Sequence, residues 1–396
     1  MTGRPLRILL ASPAYWPARA FGGPVVVARE LVSRLVERGH TVDVVTTTLV
    51  DLEDSPARRS STATVDGATV HYVGTPLRYR WMGITPTLPL IFGRLPRPDV
   101  VHVFGFRDPL TTLVAAWCRL RKTSYVFEPL GMFRPRLRKV WLKGALDASL
   151  YRGVASRAAL VLCASARERD DVIACGVPAE RVRVRGNGFP EPIDPSTPLG
   201  TDVRAELGIA TDARIVLYVG RIAAGKGIEH LIAVARRLPD VHVVLAGPDD
   251  RHGVAALVRA AQTTGRVHSH GQSDGPPIDL YRQADIFVLA SDGDSFGLVA
   301  AEAAAAGTPV VVSNRCGIAP YFRDGEALVI PATEEAVVAA VESVLGDDAL
   351  RRQLSSGGVE AARRNSWDRV TDLQEELYRE AIASRTAMTN ASMLGS

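Results

Sequence analysis

Two glycine-rich segments carry the side chains best suited to chemistry. Gly220-Arg-Ile-Ala-Ala-Gly-Lys226 follows a β-branched run, Arg214–Val219, and precedes a helical pattern. At such a strand-to-helix junction, backbone N–H groups and the helix dipole can hold a phosphate. Asp294-Ser-Phe-Gly297 lies at a junction of the same kind, and Glu302 is the only charged residue between Asp294 and Arg315. The two segments therefore predict a site for a phosphorylated ligand.

Each segment also matches another motif in part. The first fits seven positions of a P-loop, but Gly227 stands where Ser or Thr would ligate magnesium. Gly293-Asp-Ser-Phe-Gly297 fits the nucleophile elbow of hydrolases, which requires an acid and then a histidine later in the chain. All eight histidines precede Ser295, so the chain order excludes that hydrolase plan. A simpler interpretation is that Asp294 and Ser295 cap a helix.

The elements that position these segments alternate between short β-branched runs and longer helical patterns. This alternation predicts parallel sheets with helices on both faces. The Pro- and Gly-rich stretch Gly186–Gly200 predicts a linker between two doubly wound domains. We expect an N-terminal domain over residues 1–190 and a C-terminal domain over 191–370. Residues 371–396 are expected to form a helix and a polar, flexible tail.

Composition restricts the class of protein. The chain has 396 residues, and 46% of them are hydrophobic, which excludes a mostly disordered protein. No apolar run approaches the roughly 20 residues needed to cross a bilayer, and the N-terminal apolar stretch is too short for a convincing signal peptide. Four cysteines without a CxxC pair favour a reducing cytoplasm.

Several motifs together resemble a known family. Gly220-Arg221 with Lys226-Gly227, followed by Asp294-Ser-Phe-Gly297 and Glu302, is similar to the G-R-x4-K-G and E-x-F-G-x4-E patterns of retaining glycosyltransferases of family GT4. Further matches are Gly22-Gly23 before a helix, Gly39-His40 near the second strand, Asn187-Gly188 at the crossing between domains, and Ser366–Val370 before the final helix. The resemblance covers essentially the whole chain. It implies the GT-B fold, an α/β architecture of two Rossmann-like domains facing across a cleft, with a C-terminal helix returning to the N-terminal domain.

The resemblance also implies roles for individual residues. Arg221 and Lys226 would hold the diphosphate, where negative charge develops as the sugar leaves. Asp294 would contact the transferred sugar, although the family has the longer Glu there. Glu302 would accept hydrogen bonds from the ribose hydroxyls. The remaining donor-binding residues implied are Gly22, Gly23, Ser295, Phe296, Gly297, Leu298 and Val299.

The acceptor side departs further from the family pattern. His102 fits the first position of a family HxH motif, but Phe104 replaces the second histidine. Glu128-Pro-Leu-Gly-Met132 stands where many relatives carry PHGM. The resemblance implies that His102, Glu128 and Asn187 lie on the acceptor side. A buried, structural His102 is the alternative.

The implied activity is transfer of a sugar from a UDP- or GDP-sugar to an acceptor hydroxyl with retention of configuration. No cofactor and no metal ion are expected, although Asp292-Gly-Asp294 imitates a DxD metal motif. Alternatives on the same fold are a sugar-nucleotide epimerase, a phosphorylase-like enzyme, or a binding protein whose transferase site has decayed. The acceptor is expected to be a glycan, a lipid-linked molecule or a natural product.

The charge distribution favours an anionic partner for the first half. Residues 1–190 hold 28 Lys and Arg against 15 Asp and Glu, whereas residues 191–396 hold 19 against 28. Arg134–Lys143 interleaves five cations with apolar residues, as in helices that lie on anionic membranes. We therefore expect peripheral contact of this segment with the inner face of the membrane, and a solvated helix face is the alternative. No nucleic acid partner is expected.

Overall fold

A computed structural model describes residues 4–51, 59–79, 82–105, 107–132, 152–249, 254–271 and 277–394. Its contacts divide the chain into two compact units. Unit 1 comprises Met1–Asn187 and Trp367–Ser396, and unit 2 comprises Gly188–Ser366. The boundaries expected from the sequence lie three or four residues further along the chain. The Arg134–Lys143 segment lies outside the described residues.

Unit 1 contains an eight-stranded sheet and a separate hairpin. Its strands are β1 (Arg7–Ala11), β2 (Thr41–Thr47), β3 (Ser61–Val65), β4 (Ala68–Val73), β5 (Leu77–Tyr79), β6 (Met82–Ile84), β7 (Val100–Phe104), β8 (Ser124–Glu128), β9 (Leu160–Cys163) and β10 (Val182–Val184). The order in the large sheet is β10-β9-β8-β7-β1-β2-β4-β3. All neighbours in it are parallel except the antiparallel edge strand β3, and β5 pairs with β6 alone.

Helices cover the central strands of this sheet. They are α1 (Gly23–Glu37), α2 (Leu88–Phe92), α3 (Pro109–Arg121), α4 (Arg152–Arg157) and α5 (Ala166–Ala174). Every residue of β7 and β8 is buried, which explains why these strands read as continuous apolar runs instead of alternating ones. On one side of the sheet, Val101, Val103 and Phe127 pack with α3 in the core of the unit.

Unit 2 contains a six-stranded, fully parallel sheet. Its strands are β11 (Arg214–Val219), β12 (Val241–Ala246), β13 (Val267–Gly271), β14 (Ile286–Leu289), β15 (Val310–Ser313) and β16 (Leu328–Ile330), in the order β13-β12-β11-β14-β15-β16. Its helices are α6 (Val203–Leu207), α7 (Ile228–Arg237), α8 (Val254–Gln262), α9 (Ile278–Gln283), α10 (Leu298–Ala305), α11 (Glu334–Gly346) and α12 (Asp348–Arg364). Both units are therefore Rossmann-like, and the α/β class expected from the sequence is confirmed.

The last helix, α13 (Trp367–Leu394), belongs to unit 1, where it packs against α1, β7 and β8. Arg34 of α1 and Arg38, the residue that follows α1, form ion pairs with Asp368 and Asp372 of α13, with N–O distances of 2.8 and 2.5 Å. The helix expected within residues 371–396 continues to Leu394 and includes most of the stretch expected to be a flexible tail. In the described part of the chain, no helix is both long and apolar enough to cross a membrane.

Candidate functional site

The strand order of unit 2 places a crevice between β11 and β14. From β11 the chain moves outward to β12 and β13 on one side, and β14 lies on the other side. In open parallel sheets, ligands bind at the carboxyl ends of the strands at such a switch point. The two glycine-rich segments are the loops that follow β11 and β14, so the topology brings them to one edge of the sheet.

The loop after β11 approaches the loop after β14 very closely at Gly227. Gly227 has a φ angle of +74°, and a Cβ atom there would overlap the backbone carbonyl of Ala290. A residue with a side chain cannot occupy this position without moving the loop. The position that would hold Ser or Thr in a P-loop is thus filled by glycine for a steric reason, which supports rejection of the P-loop interpretation.

Hydrogen bonds hold the two loops together. The carbonyl of Gly225 accepts from the backbone N–H of Asp292 at 2.9 Å and from the hydroxyl of Ser291 at 3.1 Å. On the other side, the Asp294 carbonyl accepts from the N–H of Gly317 at 3.0 Å, in the loop after β15. The Asp294 segment is therefore fixed from both sides before any ligand binds.

Lys226 and Asp294 form an ion pair across these loops. The Nζ atom of Lys226 lies 2.6 Å from Oδ2 of Asp294, and both side chains keep about a quarter of their surface exposed. Arg221 lies in the same loop with its side chain exposed, and its carbonyl accepts a hydrogen bond of 2.8 Å from the buried Tyr218 hydroxyl. Two cations and one carboxylate thus stand at the switch point, accessible to solvent.

The N-terminus of α10 is free of a side-chain cap. Its N-cap residue is Gly297, with φ of +110°, and the first turn contains no acidic residue. The interpretation of Asp294 and Ser295 as capping residues is therefore wrong. Phe296 is buried and packs edge-to-face against Tyr321, with ring centroids 5.2 Å apart. The N–H groups of the first turn, at Leu298 and Val299, remain free of side-chain acceptors from the cap.

Glu302 is held by a residue that the sequence did not indicate. It lies on α10, and the hydroxyl of Tyr281 on α9 donates a 2.8 Å hydrogen bond to its Oε2 atom. Burial raises the pKa of Glu302 to about 7, and the hydrogen bond from Tyr281 partly opposes that rise. Glu302 is therefore an oriented carboxylate in apolar surroundings and not a fully solvated one.

Gly22 and Gly23 lie at the start of α1 in unit 1, in the segment that follows β1. Gly22 is the N-cap residue and has a φ angle of +73°, which glycine adopts without strain. Nothing lies within 4 Å of where its Cβ would be, so the backbone conformation and not the space requires glycine. In the same segment, the guanidinium groups of Arg19 and Arg29 lie 4.0 and 3.9 Å from the ring centroid of Trp16.

His102 and Glu128 are fully buried, as the alternative of a structural His102 requires. Their place on the acceptor side stays a prediction. His102 lies on β7, and its Nδ1 atom is 2.9 Å from the hydroxyl of Tyr378 on α13. Its Nε2 atom lies 3.2 Å from Glu128, at the end of β8. Burial lowers the pKa of His102, and the adjacent Glu128 carboxylate opposes this effect.

Arg185 organises this buried network, and the sequence pattern did not single it out. Its guanidinium donates to Glu128 and to Asn187 at 2.9 Å each, and to Gln374 of α13 at 3.0 Å. Its Nε atom donates to the carbonyl of Gly186. His102, Glu128 and Asn187 are thus brought together, but as one structural cluster that fastens α13 to the sheet of unit 1.

Among the described residues, no group of three or more His, Cys, Asp or Glu side chains could hold a metal ion. Asp292 and Asp294 do not converge: Asp294 binds Lys226, whereas Asp292 lies 4.0 Å from Arg315.

Two family models match the chain, and together they cover most of it. The Glycosyl transferase 4-like domain matches residues 22–188, and Glycosyl transferases group 1 matches residues 201–360. The first matched range lies in unit 1 except for its last residue, Gly188, and the second lies in unit 2.

Curated relatives include D-inositol 3-phosphate glycosyltransferases. That of Xylanimonas cellulosilytica is 31% identical over 253 residues, covering 59% of this chain and 60% of the relative. That of Mycolicibacterium gilvum is 37% identical over 193 residues, covering 46% and 43%. The chain spans about half the length of these relatives. An uncharacterized glycosyltransferase of Methanocaldococcus jannaschii is 25% identical and aligns over 93% of this chain and 96% of its own length.

Solved structures share the fold. The catalytic domain of starch synthase IV from Arabidopsis thaliana, bound to ADP and acarbose, matches with a TM-score of 0.76 and 15% identity over 96% of this chain and all of that one. Sucrose-phosphate synthase from Thermosynechococcus elongatus matches at 0.72 with 23% identity, and Anabaena HepE in complex with UDP-glucose at 0.72 with 20%. They cover 96% of this chain and all of theirs. The chain, with its two Rossmann-like units, therefore has the GT-B type of fold.

Proposed function

Because the chain belongs to the group 1 glycosyl transferases, we propose that it transfers a sugar from a nucleotide-diphosphate sugar to an acceptor hydroxyl. The observation that carries the proposal is the ion pair of Lys226 with Asp294 in the loops at the switch point of unit 2, followed by the uncapped helix α10, which carries Glu302. A nucleotide diphosphate presents the matching groups: an anionic diphosphate, a ribose with two hydroxyls and, in the donor, a sugar.

In the proposed complex, cations and backbone dipoles bind the diphosphate. Arg221 and Lys226 supply two positive charges, and the free N–H groups at the start of α10 point to the same anion. Glu302, oriented by Tyr281, accepts hydrogen bonds from the ribose hydroxyls when it is ionised. These groups stabilise the nucleotide diphosphate as its charge develops in the transition state.

Because Lys226 and Asp294 are paired in the absence of ligand, a bound donor must replace the interactions of both side chains. The diphosphate must attract Lys226 away from Asp294, or bind it in addition, and the sugar hydroxyls must satisfy the carboxylate that Lys226 now holds. Because Asp is one methylene shorter than the Glu of the family pattern, we infer that the sugar sits closer to the loop after β14 or carries a different hydroxyl pattern.

We further propose that transfer retains the anomeric configuration and proceeds without a divalent cation. Support comes from the resemblance to family GT4 and from Arg221 and Lys226, which supply the positive charge that a metal would otherwise provide. The donor is a UDP- or GDP-sugar in this proposal. The HepE structure contains UDP-glucose, which makes UDP the first nucleotide to test. A glycan, lipid-linked or natural-product acceptor is inferred to bind unit 1.

Isothermal titration with UDP, GDP and ADP tests the donor site. We expect one nucleotide to bind more tightly than 1 mM, which corresponds to about −4 kcal/mol. Binding of none of them at that level would contradict the donor site.

Replacing the two cations separates catalysis from folding. Lys226→Ala and Arg221→Ala should each reduce kcat/KM by about 10²–10³-fold, as does removal of one preorganised donor to a developing anion. Arg237→Ala is the matched control, because Arg237 forms a surface ion pair with Glu334 on the outer side of α7. Near-normal turnover in both site variants, with an unchanged melting temperature, would refute the assignment. Activity that survives saturating EDTA would support a metal-independent reaction.

A further inference from the structure

Unit 1 contains a cavity that shares no residue with the proposed donor site or with the cluster around Arg185. Its volume is about 310 Å³, and it lies between one face of the large sheet and the segment that follows α2. This volume is at the lower end of the roughly 300–1,000 Å³ that is typical of ligand pockets. The cavity therefore has room for a single substituted ring and not for a nucleotide.

A row of polar side chains on three adjacent strands lines one side of the cavity. His71 of β4 is paired with Thr62 of β3, and Asp43 of β2 is paired with Thr69, two positions before His71. Because paired residues and alternate residues share one face of a sheet, Asp43, His71 and Thr62 lie on the same side. All three line the cavity.

This polar row interrupts an otherwise apolar face. Val45 and Val73, two positions further along β2 and β4, belong to the core of unit 1. The Nε2 atom of His71 lies 3.0 Å from Oδ1 of Asp43, and the Nη1 atom of Arg7 lies 3.8 Å from Oδ2. The side chains of Asp43 and His71 are 14% and 19% exposed. The carboxylate thus already has two partners and a fixed orientation, and both side chains remain within reach of a ligand.

The other side of the cavity combines apolar side chains with one arginine, Arg94. Ile91 of α2 and Leu95 pack against the core of unit 1, and the N–H groups of Arg94 and Leu95 donate to the carbonyl of Ile91 at 2.9 and 3.1 Å. Ser60, which also lines the cavity, accepts a hydrogen bond of 2.9 Å from the N–H of Gly74. Packed and hydrogen-bonded elements therefore form the cavity before any ligand binds.

Arg94 is the charged group of the cavity whose requirement for a partner is unmet. Its side chain is exposed, and within the described ranges no carboxylate lies at ion-pair distance from it. Asp43, the acid of the cavity, is held by His71 and Arg7 instead. A guanidinium group beside hydroxyl and imidazole groups suits a ligand that carries a carboxylate or phosphate together with hydroxyls. The aliphatic side chains opposite can pack against the C–H groups of such a ring.

We propose that this cavity is a second ligand site, which binds a single-ring polyol with an anionic group, as in a sugar acid or a sugar phosphate. Arg94 pairs with the anion, and Asp43, His71 and Thr62 form hydrogen bonds with the ring hydroxyls. The proposal does not depend on the proposed function, because it concerns other residues and another ligand.

Ligand-observed NMR titrations of the full chain test the proposal. The probes are glucuronate and glucose 6-phosphate, with glucose as the neutral control, each with and without excess UDP. We expect at least one anionic probe to bind about tenfold or more tightly than glucose, because only the anion forms charge-assisted hydrogen bonds with Arg94. UDP should not displace it. A preference for one anionic probe identifies the anion that the site takes.

Two variants and a matched control locate the binding. Arg94→Gln should weaken binding of the anionic probe by about tenfold or more. Thr62→Tyr fills the cavity with a side chain that suits an exposed edge strand, and it should abolish binding. Arg97→Gln is the control, because Arg97 is an exposed arginine of the same segment that does not line the cavity. Circular dichroism and melting temperature should match the wild type in all three, which separates loss of binding from loss of fold.

Four results would overturn the proposal. The first is that neither anionic probe binds more tightly than glucose. The second is displacement of the anionic probe by UDP, which would assign the binding to the donor site. The third is unchanged affinity in Arg94→Gln, which would place the ligand elsewhere. The fourth is unchanged affinity in Thr62→Tyr with equally tight binding of inorganic phosphate, which would indicate an anion at an exposed arginine and no site for a ring.

Discussion

Glu302 is the residue whose environment has the clearest measurable consequence. Its pKa of about 7 in the folded chain lies above the ordinary 4.5. The folded state therefore keeps a proton that the unfolded state loses first as pH rises. For a carboxyl group shifted in this direction, stability decreases between about pH 4.5 and 7, and the full cost is present above pH 7. The site thus retains a destabilising carboxylate, as expected of a residue kept for binding.

We expect Glu302→Gln to stabilise the ligand-free protein at pH 8, by at most on the order of 3 kcal/mol, and to change little near pH 4.5. Tyr281 can still donate to the amide oxygen, so the local geometry is retained. The same variant should bind the nucleotide more weakly, because a neutral amide is a poorer acceptor for two ribose hydroxyls. Thermal melts and titrations from pH 4.5 to 8.5 measure both effects.

The control for this experiment is Glu376→Gln on the exposed side of α13. It should show neither the pH-dependent stabilisation nor the loss of nucleotide affinity. If Glu302→Gln were equally stable relative to wild type at every pH, the raised pKa would be refuted. If nucleotide affinity were unchanged, Glu302 would not contact the ribose.

At the scale of elements, the loops after β11 and β14 are held in direct contact because glycine at position 227 lets their backbones approach closely. Gly227→Ser would complete a P-loop pattern in the sequence, yet we expect it to abolish nucleotide binding. The new Cβ atom would overlap the Ala290 carbonyl and separate Lys226 from Asp294. Gly265→Ser is a suitable control, since Gly265 also has a positive φ angle but nothing lies within 4 Å of its Cβ position. Full nucleotide affinity in Gly227→Ser would contradict the role of this contact.

The cluster around Arg185 joins α13 to β7, β8 and β10. Substitutions in it should therefore lower the stability of the fold and leave acceptor binding unchanged. Arg185→Ala should reduce the free energy of unfolding by about 3–5 kcal/mol, because Glu128 would remain as a buried charge without its main partner. Adding Glu128→Gln should recover part of that loss. Denaturant unfolding of the full chain measures both variants.

The variant Glu128→Gln distinguishes between the structural role and the acceptor-side role considered for His102 and Glu128. A structural cluster predicts that the KM for acceptor changes no more than the KM for donor in Glu128→Gln. A selective increase in the acceptor KM at unchanged stability would restore the acceptor-side interpretation that the sequence suggested.

The sequence was sufficient to predict the elements whose pattern is local. The bounds of β11 agree with the predicted run Arg214–Val219 to the residue. Strands that are short or weakly apolar give no such local pattern: β16 has three residues, and β13, with the sequence VHSHG, has two histidines among its five. Such strands are stabilised by pairing with a neighbour, which a single segment does not reveal.

In the candidate site, too, residues within one local segment could be predicted, whereas contacts between distant segments could not. Lys226, Asp294 and Glu302 were identified from their spacing within loops and a helix. Their direct partners come from elsewhere in the chain: Asp294 is 68 positions from Lys226, and Tyr281 lies on the helix before α10. Contacts of this kind depend on how the sheet orders its strands, so the residue types could be predicted but not the pairs they form.

At the scale of the whole molecule, unit 2 is an insertion between Asn187 and Trp367 of unit 1. Its first and last residues run side by side: Phe189 forms a parallel bridge with Ser366, and its N–H donates to the carbonyl of Asn365 at 2.8 Å. On the other side of the junction, Arg185 contacts both Asn187 and Gln374.

An inserted domain can be moved without straining either part when its two ends are neighbours. Residues 188–366 are therefore a natural cassette for recombination. Under the proposed function, residues 188–366 expressed alone should bind nucleotide. A short glycine–serine linker that joins residue 187 to residue 367 would complete the rest of unit 1. Under the same proposal, exchanging this segment between relatives should change the nucleotide sugar used and leave the acceptor unchanged.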